Sequence, residues 1–176
     1  MFRAAIIGGA GYAGGELIRL LLNHPKVKIA YVHSNSQAGK PVYDTHEDLV
    51  GETDLVFTNE LNLNVDVVFL CMGHGKAKAW LEENAVPAET LLIDLSHDFR
   101  LAADWVYGLP ELNKSQIQKS RRIANPGCFA TAIQLGLLPL AKANLLQDEV
   151  HIHAITGSTG AGQSLKDTSH FSWRNN

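Results

Sequence analysis

Short apolar runs alternate with amphipathic stretches along the N-terminal half of the chain. "FRAAIIG" (residues 2–8) is apolar and ends in glycine, as a buried strand does. In the "GYAGGELIRLLLNHP" that follows, Leu17, Ile18, Leu20, Leu21 and Leu22 form a helical stripe, and Pro25 stops it. "VKIAYVHS" (27–34) reads as a second strand. "VDVVFLCMG" (65–73) is apolar throughout, as a central parallel strand is. "GKAKAWLEENA" (75–85) predicts a helix and "TLLIDLS" (90–96) another buried strand. The repeated strand–helix–strand order predicts an α/β fold, a parallel sheet with helices on its faces.

The texture changes after about residue 100, where "DFRLAADWVYGLPELNKSQIQKS" is polar and broken by Gly108 and Pro110. "RRIANPG" then leads into a helix expected from Cys128 to Ala143. "EVHIHAITGSTGAG" (149–162) alternates like a half-exposed strand and ends in a glycine-rich loop. The sequence stops at "SHFSWRNN" without a closing strand, and an exposed strand edge needs cover. The expectation is the first part of a longer protein.

Composition narrows the function classes. The 176 residues are 45% apolar and 19% charged, an ordinary globular balance, and the net charge of -3 offers nothing to nucleic acid. Two cysteines make no disulfide framework and suit a reducing cytoplasm, where a thiol is free to react. Met1-Phe2-Arg3 runs straight into the first strand, so no secretory leader is expected. No apolar run approaches the roughly 20 residues that cross a bilayer, so no membrane partner is expected.

Two stretches carry candidate chemistry. "IIGGAGYAGGE" holds Gly9-x-Gly11-x-x-Gly14, and in a second register Gly8-x-x-Gly11-x-x-Gly14. In such a loop one glycine makes the tight turn, one lets the backbone approach a pyrophosphate, and one lets helix and strand pack closely. The helix N-terminus offers free N–H groups and partial positive charge to phosphate. The pattern sits between a strand and a helix in the first βαβ unit, the context that supports a dinucleotide site in a Rossmann-type sheet with helices on both faces. A tight turn without a ligand is the alternative. The second strand ends in "HSNSQAGK", with Ser34, Asn35, Ser36 and Lys40, where NAD sites usually carry an acid. A carboxylate would repel a 2′-phosphate, whereas hydroxyls, an amide and a lysine tolerate or hold it. NADP is therefore expected; a plain loop cap is the alternative.

The other stretch is "NPGCFATA". Pro126 fixes its own backbone, Gly127 allows a sharp approach, and Cys128 falls at the helix start. A helix N-terminus favours thiolate, the nucleophilic form. A cap cysteine without chemistry is the alternative. Cys71, inside "VVFLCMG", reads as a small core residue. Gly73 and His74 follow at the strand's end, either lining a cofactor groove or, for His74, capping a helix. The cysteines and histidines lack ligand spacing, so no metal is expected.

These residues resemble the N-acetyl-gamma-glutamyl-phosphate reductase family along the whole chain. "GGAGYAGGELIRLLLNHP", "SNSQAGKP", "DLSHDFRL" and "YGLPEL" are similar to family segments, and "IANPGCFATAIQLGLLP" resembles its active-site signature. "TGSTGAGQSLKDTSHF" resembles the glycine loop of its second domain. The resemblance implies a Rossmann domain over 1–126 and the start of a catalytic and dimerisation α+β domain over 127–176. It implies that Cys128 attacks an acyl phosphate, expels phosphate and forms a thioester, which NADPH reduces to the semialdehyde. Gly9, Ala10, Gly11, Tyr12, Ala13 and Gly14 would hold the pyrophosphate, and Ser34, Asn35 and Ser36 the adenosine ribose. The loop with Gly157, Ser158 and Gly160 would lie near the nicotinamide, and Asn125 would orient the thioester region.

The partners implied are a small-molecule acyl phosphate, phosphate and, at full length, further copies of the same protein. Two departures stand out. The family usually has arginine where Asn35 stands, and its catalytic histidine lies beyond Asn176. His151, His153 and His170 do not match that motif, so the 176-residue piece is expected to be inactive alone. His151 and His153 share one face of the expected strand, which suggests a structural role. Other readings remain: an aspartate-semialdehyde dehydrogenase, a non-catalytic dinucleotide-binding module, or a thiol hydrolase.

Overall fold

The computed structural model describes residues 1–163. Seven strands form one sheet: β1 (Phe2–Ile7), β2 (Val27–His33), β3 (Phe57–Thr58), β4 (Val67–Leu70), β5 (Leu91–Asp94), β6 (Val106–Tyr107) and β7 (Arg122–Ala124). Their spatial order is β3-β2-β1-β4-β5-β7-β6, and every adjacent pair is parallel. The chain moves outward from β1 through β2 to β3, then returns to place β4 on the other side of β1. That reversal makes a crevice at the carboxyl ends of β1 and β4, where ligands bind in open α/β sheets. Among the described residues no helix is long and apolar enough to cross a membrane.

Alternation along β1 decides which face each helix covers. Ala4 and Ile6 point into a core shared with Ile18 and Leu21 of α1 (Tyr12–Leu22), and with Val42, Leu49 and Phe57 from the β2–β3 region. Ala5 and Ile7 point the other way, into a core with Val68, Leu70, Trp105 and Ala77 of α2 (Ala77–Glu83). All four β1 residues are fully buried, so β1 is covered on both faces. Phe99 and Trp105 stack in the second core, ring centres 4.2 Å apart.

Two further helices follow, α3 (Pro110–Ile117) and α4 (Cys128–Lys142), which ends one residue before the predicted limit. The strand expected at 149–162 does not form; its only regular piece is a 3-10 turn at Ser158–Ala161. A strand needs a hydrogen-bonding neighbour, and residues 149–156 pair with none of the described strands. His151 and His153 therefore do not sit on a strand face. His170 lies outside the described residues, as do the last residues of "TGSTGAGQSLKDTSHF".

The start of α2 is held from a distance. Asp98 accepts the backbone N–H groups of Gly75, Ala77 and Lys78 at 2.7, 3.0 and 3.3 Å. His74, a candidate cap, instead accepts the His97 N–H through Nδ1 at 3.1 Å. Partial burial works to raise the Asp98 pKa, but these N–H groups and the Ser96 hydroxyl outweigh it and hold the carboxyl below its usual range. A lowered folded-state pKa contributes stability that is present above the unfolded value, about 3.9, and lost as pH falls through the folded value. Asp98→Ala should lower unfolding stability at pH 7 by about 1–2 kcal/mol, as the loss of a helix cap does. In urea titrations the gap between parent and variant should narrow as pH is taken below about 4. A gap that is constant with pH would show that the Asp98 charge contributes nothing.

Candidate functional site

The loop between β1 and α1 is built from close backbone contacts. Gly8 has φ +84°, a left-handed conformation that favours glycine, so the tight turn falls here rather than at Gly9. A Cβ on Gly9 would collide with Val32 Cγ1, and one on Gly14 would meet Gly9 Cα at 2.6 Å. Gly11 is the open position, where a Cβ would meet nothing nearer than the Gly8 carbonyl oxygen at 3.7 Å. Gly11 is also the N-cap of α1; it supplies no side-chain cap, and the first turn carries no acid. The first N–H groups of a helix lack intrahelical partners, so this end is left to an external acceptor. A pyrophosphate fits that cradle: bare glycine on the approach side, free amides, and no competing carboxylate.

The flanks converge on the same loop. The amides of Gly8 and Gly9 both donate to the His33 carbonyl at 3.0 Å, which ties the loop to the end of β2. Ser34, Asn35 and Ser36 follow directly; Ser34 is buried, while Asn35 and Ser36 are exposed. The Ser34 and Ser36 hydroxyls lie 3.5 Å apart. Lys40 turns its Nζ to Gln37 Oε1 at 3.1 Å. Burial pushes the His33 pKa down, an effect that the Asn59 backbone partly opposes. Gly157, Ser158 and Gly160 are exposed around the 3-10 turn, and Gln163 just beyond donates to the Ala10 carbonyl at 3.2 Å. The structure thus brings the end of that loop to the β1–α1 turn.

The two cysteines have opposite surroundings. Cys71 is buried, and burial together with the Asp94 charge pushes its thiol up to about 12, which fits a core residue. Cys128 is exposed and is the first residue of α4, whose N-cap is Gly127. No side chain caps this helix and no acid stands in its first turn. Thr131 spends its N–H and its hydroxyl on the Gly127 carbonyl, each at 2.9 Å. The Asn125 backbone N–H donates to the Asp94 carbonyl at 2.7 Å, and its Nδ2 donates to the Pro126 carbonyl at 3.1 Å.

Cys128 lies in the shared wall of two open cavities. One, of about 690 Å³, runs past Leu109, Glu111, Asn125 and Thr131. The other, of about 530 Å³, runs past Phe129, Ile133 and residues 150–156. Both are of the size that holds a small metabolite. His151 and His153, whose spacing suggested a structural role, line the second cavity along with Cys128. Among the described residues no group of three or more His, Cys, Asp or Glu side chains could hold a metal ion.

Arg100 is the residue that the sequence reading passed over. Its Nε donates to the Asn125 carbonyl at 2.9 Å and Nη2 to the Leu95 carbonyl at 3.3 Å. Its Nη1 would lie 2.9 Å from a Cβ on Gly127, and it makes no hydrogen bond among the described residues. A guanidinium thus stands at the N-cap of the cysteine helix with one nitrogen uncommitted. The only signal in the sequence was its presence within "DLSHDFRL". Nearby, the His74 and His97 rings stand 4.4 Å apart, and burial, then His97 and Arg100, push the His74 pKa down.

The chain is 60% identical over 183 aligned residues to an N-acetyl-gamma-glutamyl-phosphate reductase of Flavobacterium johnsoniae, covering 100% of this chain. A protein of the same name from Christiangramia forsetii is 55% identical, again over 100% of this chain. The chain spans 56% of the length of each of these relatives. Among solved structures, aspartate semialdehyde dehydrogenase II of Vibrio cholerae, complexed with ASA, superposes with a TM-score of 0.71 at 23% identity, covering 93% of this chain and 48% of that one. The enzyme of Candida albicans with NADP gives 0.67 at 23% identity, over 83% of this chain and 48% of that one. These structural likenesses show the fold. The family model described as semialdehyde dehydrogenase, dimerisation domain, matches residues 128–176. The one described as semialdehyde dehydrogenase, NAD binding domain, matches residues 3–120, well over half of the chain, which therefore belongs to the semialdehyde dehydrogenase family.

Proposed function

We propose that this chain is the nucleotide-binding and nucleophile-bearing part of an N-acetyl-gamma-glutamyl-phosphate reductase. The reaction is NADPH-dependent reduction of N-acetyl-gamma-glutamyl phosphate to N-acetyl-glutamate 5-semialdehyde and phosphate, a step of arginine biosynthesis in the cytoplasm. The reading rests on the exposed Cys128 at the first position of α4, between two metabolite-sized cavities. It is supported by the names of the relatives that match the whole chain. The division falls at residues 126 and 127, between a nucleotide-binding domain and the start of a catalytic and dimerisation domain; the protein works as a homo-oligomer. That division agrees with the two family matches.

The chemistry follows from the placement. The Cys128 sulfur, as thiolate, attacks the acyl carbon; the bond from that carbon to the phosphate oxygen breaks, and phosphate leaves. The uncommitted Arg100 Nη1 is placed to receive phosphate oxygens as charge builds on them, a role that suits guanidinium geometry. The product on Cys128 is a thioester, which the amides at the start of α4 and the Asn125 side chain help to orient. Bound NADPH supplies the hydride for its reduction. The hemithioacetal on Cys128 then collapses, releasing the semialdehyde and restoring the sulfur. Gly9, Ala10, Gly11, Tyr12, Ala13 and Gly14 would hold the pyrophosphate, and Ser34, Asn35 and Ser36 the adenosine ribose. The loop of Gly157, Ser158 and Gly160 would lie near the nicotinamide; the Gln163 bond to Ala10 brings the end of that loop to the β1–α1 turn.

Cys128→Ser in the full-length protein should cut turnover by roughly a thousandfold or more, as loss of a nucleophile does, and leave NADPH affinity unchanged. Retained turnover would rule out covalent catalysis. Arg100→Met should raise KM for the acyl phosphate and lower phosphate affinity in the reverse reaction, with nucleotide affinity untouched. Iodoacetamide at pH 7 should label Cys128 in the native chain and Cys71 only after denaturation, read by peptide mass spectrometry. Aspartyl phosphate, offered in the same assay, should not be turned over.

A further inference from the structure

The two ends of a trans peptide unit point in opposite directions, so whatever holds the carbonyl also aims the amide. The unit between Gly9 and Ala10 is held in this way. His46, a buried residue of the β2–β3 connection, places its Nε2 2.9 Å from the Gly9 carbonyl oxygen. A carbonyl only accepts, so Nε2 carries the proton and donates. The Gly9 oxygen is drawn inward to the ring, and the Ala10 N–H faces the other way, out of the loop.

The ring has a fitted seat. It packs at a tilt on Phe57, with ring centres 6.3 Å apart. On its other side lies Gly15, inside α1. A Cβ there would stand 2.6 Å from His46 Cε1 and 2.7 Å from Nδ1. Glycine is a poor helix former, and Gly15 has no left-handed backbone to explain it. Room for the imidazole does explain it.

We propose that His46 is the positioning residue of the dinucleotide site: its Nε2–H holds the Gly9 carbonyl, turns the Ala10 N–H toward the pyrophosphate, and requires a bare Gly15 to seat its ring. This rests on the reading of the β1–α1 loop as a dinucleotide cradle.

The test is a fluorescence titration of the full chain with NADPH, beside a two-bond proton–nitrogen spectrum of its histidines. The spectrum should show His46 protonated at Nε2; a tautomer protonated only at Nδ1 overturns the proposal whether or not nucleotide binds. His46→Leu keeps the bulk without a donor and should raise Kd roughly tenfold. His46→Gln, which restores an N–H, should return Kd to near the parent value. Gly15→Ala should weaken binding in the parent and add nothing in a His46→Ala background. A folded His46→Leu chain that binds NADPH like the parent, a Gln variant as poor as Leu, or an equal Gly15→Ala effect in both backgrounds overturns the proposal. If His46→Leu fails to fold, the tautomer and the Gly15 pair decide. A parent chain that binds no dinucleotide defeats the cradle reading and leaves the ring's contacts to the spectrum.

Discussion

Peptide resting on peptide sets the height of the first helix above the sheet. A side chain at Gly14 would strike Gly9 Cα, and one at Gly9 would strike Val32, so neither position tolerates a Cβ without displacement. With both bare, the first turn of α1 comes down to the carboxyl end of β1, at the reversal between β1 and β4. The helix's unsatisfied amides then open into the crevice that the strand order creates. Larger residues would lift the helix and take those amides out of reach, whatever else was preserved. Two other parts of the chain press on the same turn: His46 on the Gly9 carbonyl and Gln163 on the Ala10 carbonyl.

A second set of contacts ties the cysteine end to the sheet, and it radiates from Asp94. This residue is fully buried at the end of β5. Burial raises its pKa, and two bonds from Ser96 oppose that rise, the N–H at 3.0 Å and the hydroxyl at 2.7 Å. The Ser96 oxygen also accepts the Asp98 N–H at 3.0 Å, which sets Asp98 over the start of α2. From its main chain, Asp94 accepts the Asn125 amide, and the Asn125 carbonyl accepts Arg100. One buried carboxyl residue therefore orders both the α2 entrance and the approach to Cys128. A buried carboxyl is costly unless hydrogen-bonded, which accounts for the dense bonding around this one.

The parts that could be read from sequence were those with a period or a motif. β1, β2, β4 and β5 show long apolar runs, and α1 and α4 show stripes and stops, so their limits fall within a few residues of expectation. β3 and β6 have two residues each and β7 has three, too short for any period to register. The long-range contacts were equally invisible. Nothing local to "THEDL" says that its histidine touches Gly9, or that Arg100 reaches Gly127. The alternation in "EVHIHAI" did suggest a strand, but pairing decides strands, and this segment has no neighbour among the described elements.

The starts of α1 and α4 share one arrangement and differ in what supports it. α1 and α4 both start on a glycine N-cap without a capping side chain and without an acid in the first turn. Each leaves the N–H groups of its first turn without a capping side chain of its own. α1 buries Ile18 and Leu21 in the core, so packing along its length holds it. Among the described residues α4 is at most half-buried, and Phe129, Leu135 and Leu140 are exposed along it. Its anchorage is at the start, through buried Pro126, the Asn125 amide on Asp94, and Arg100 against Gly127. The sulfur is thus placed by the edge of the sheet, one residue past the last group that the sheet holds.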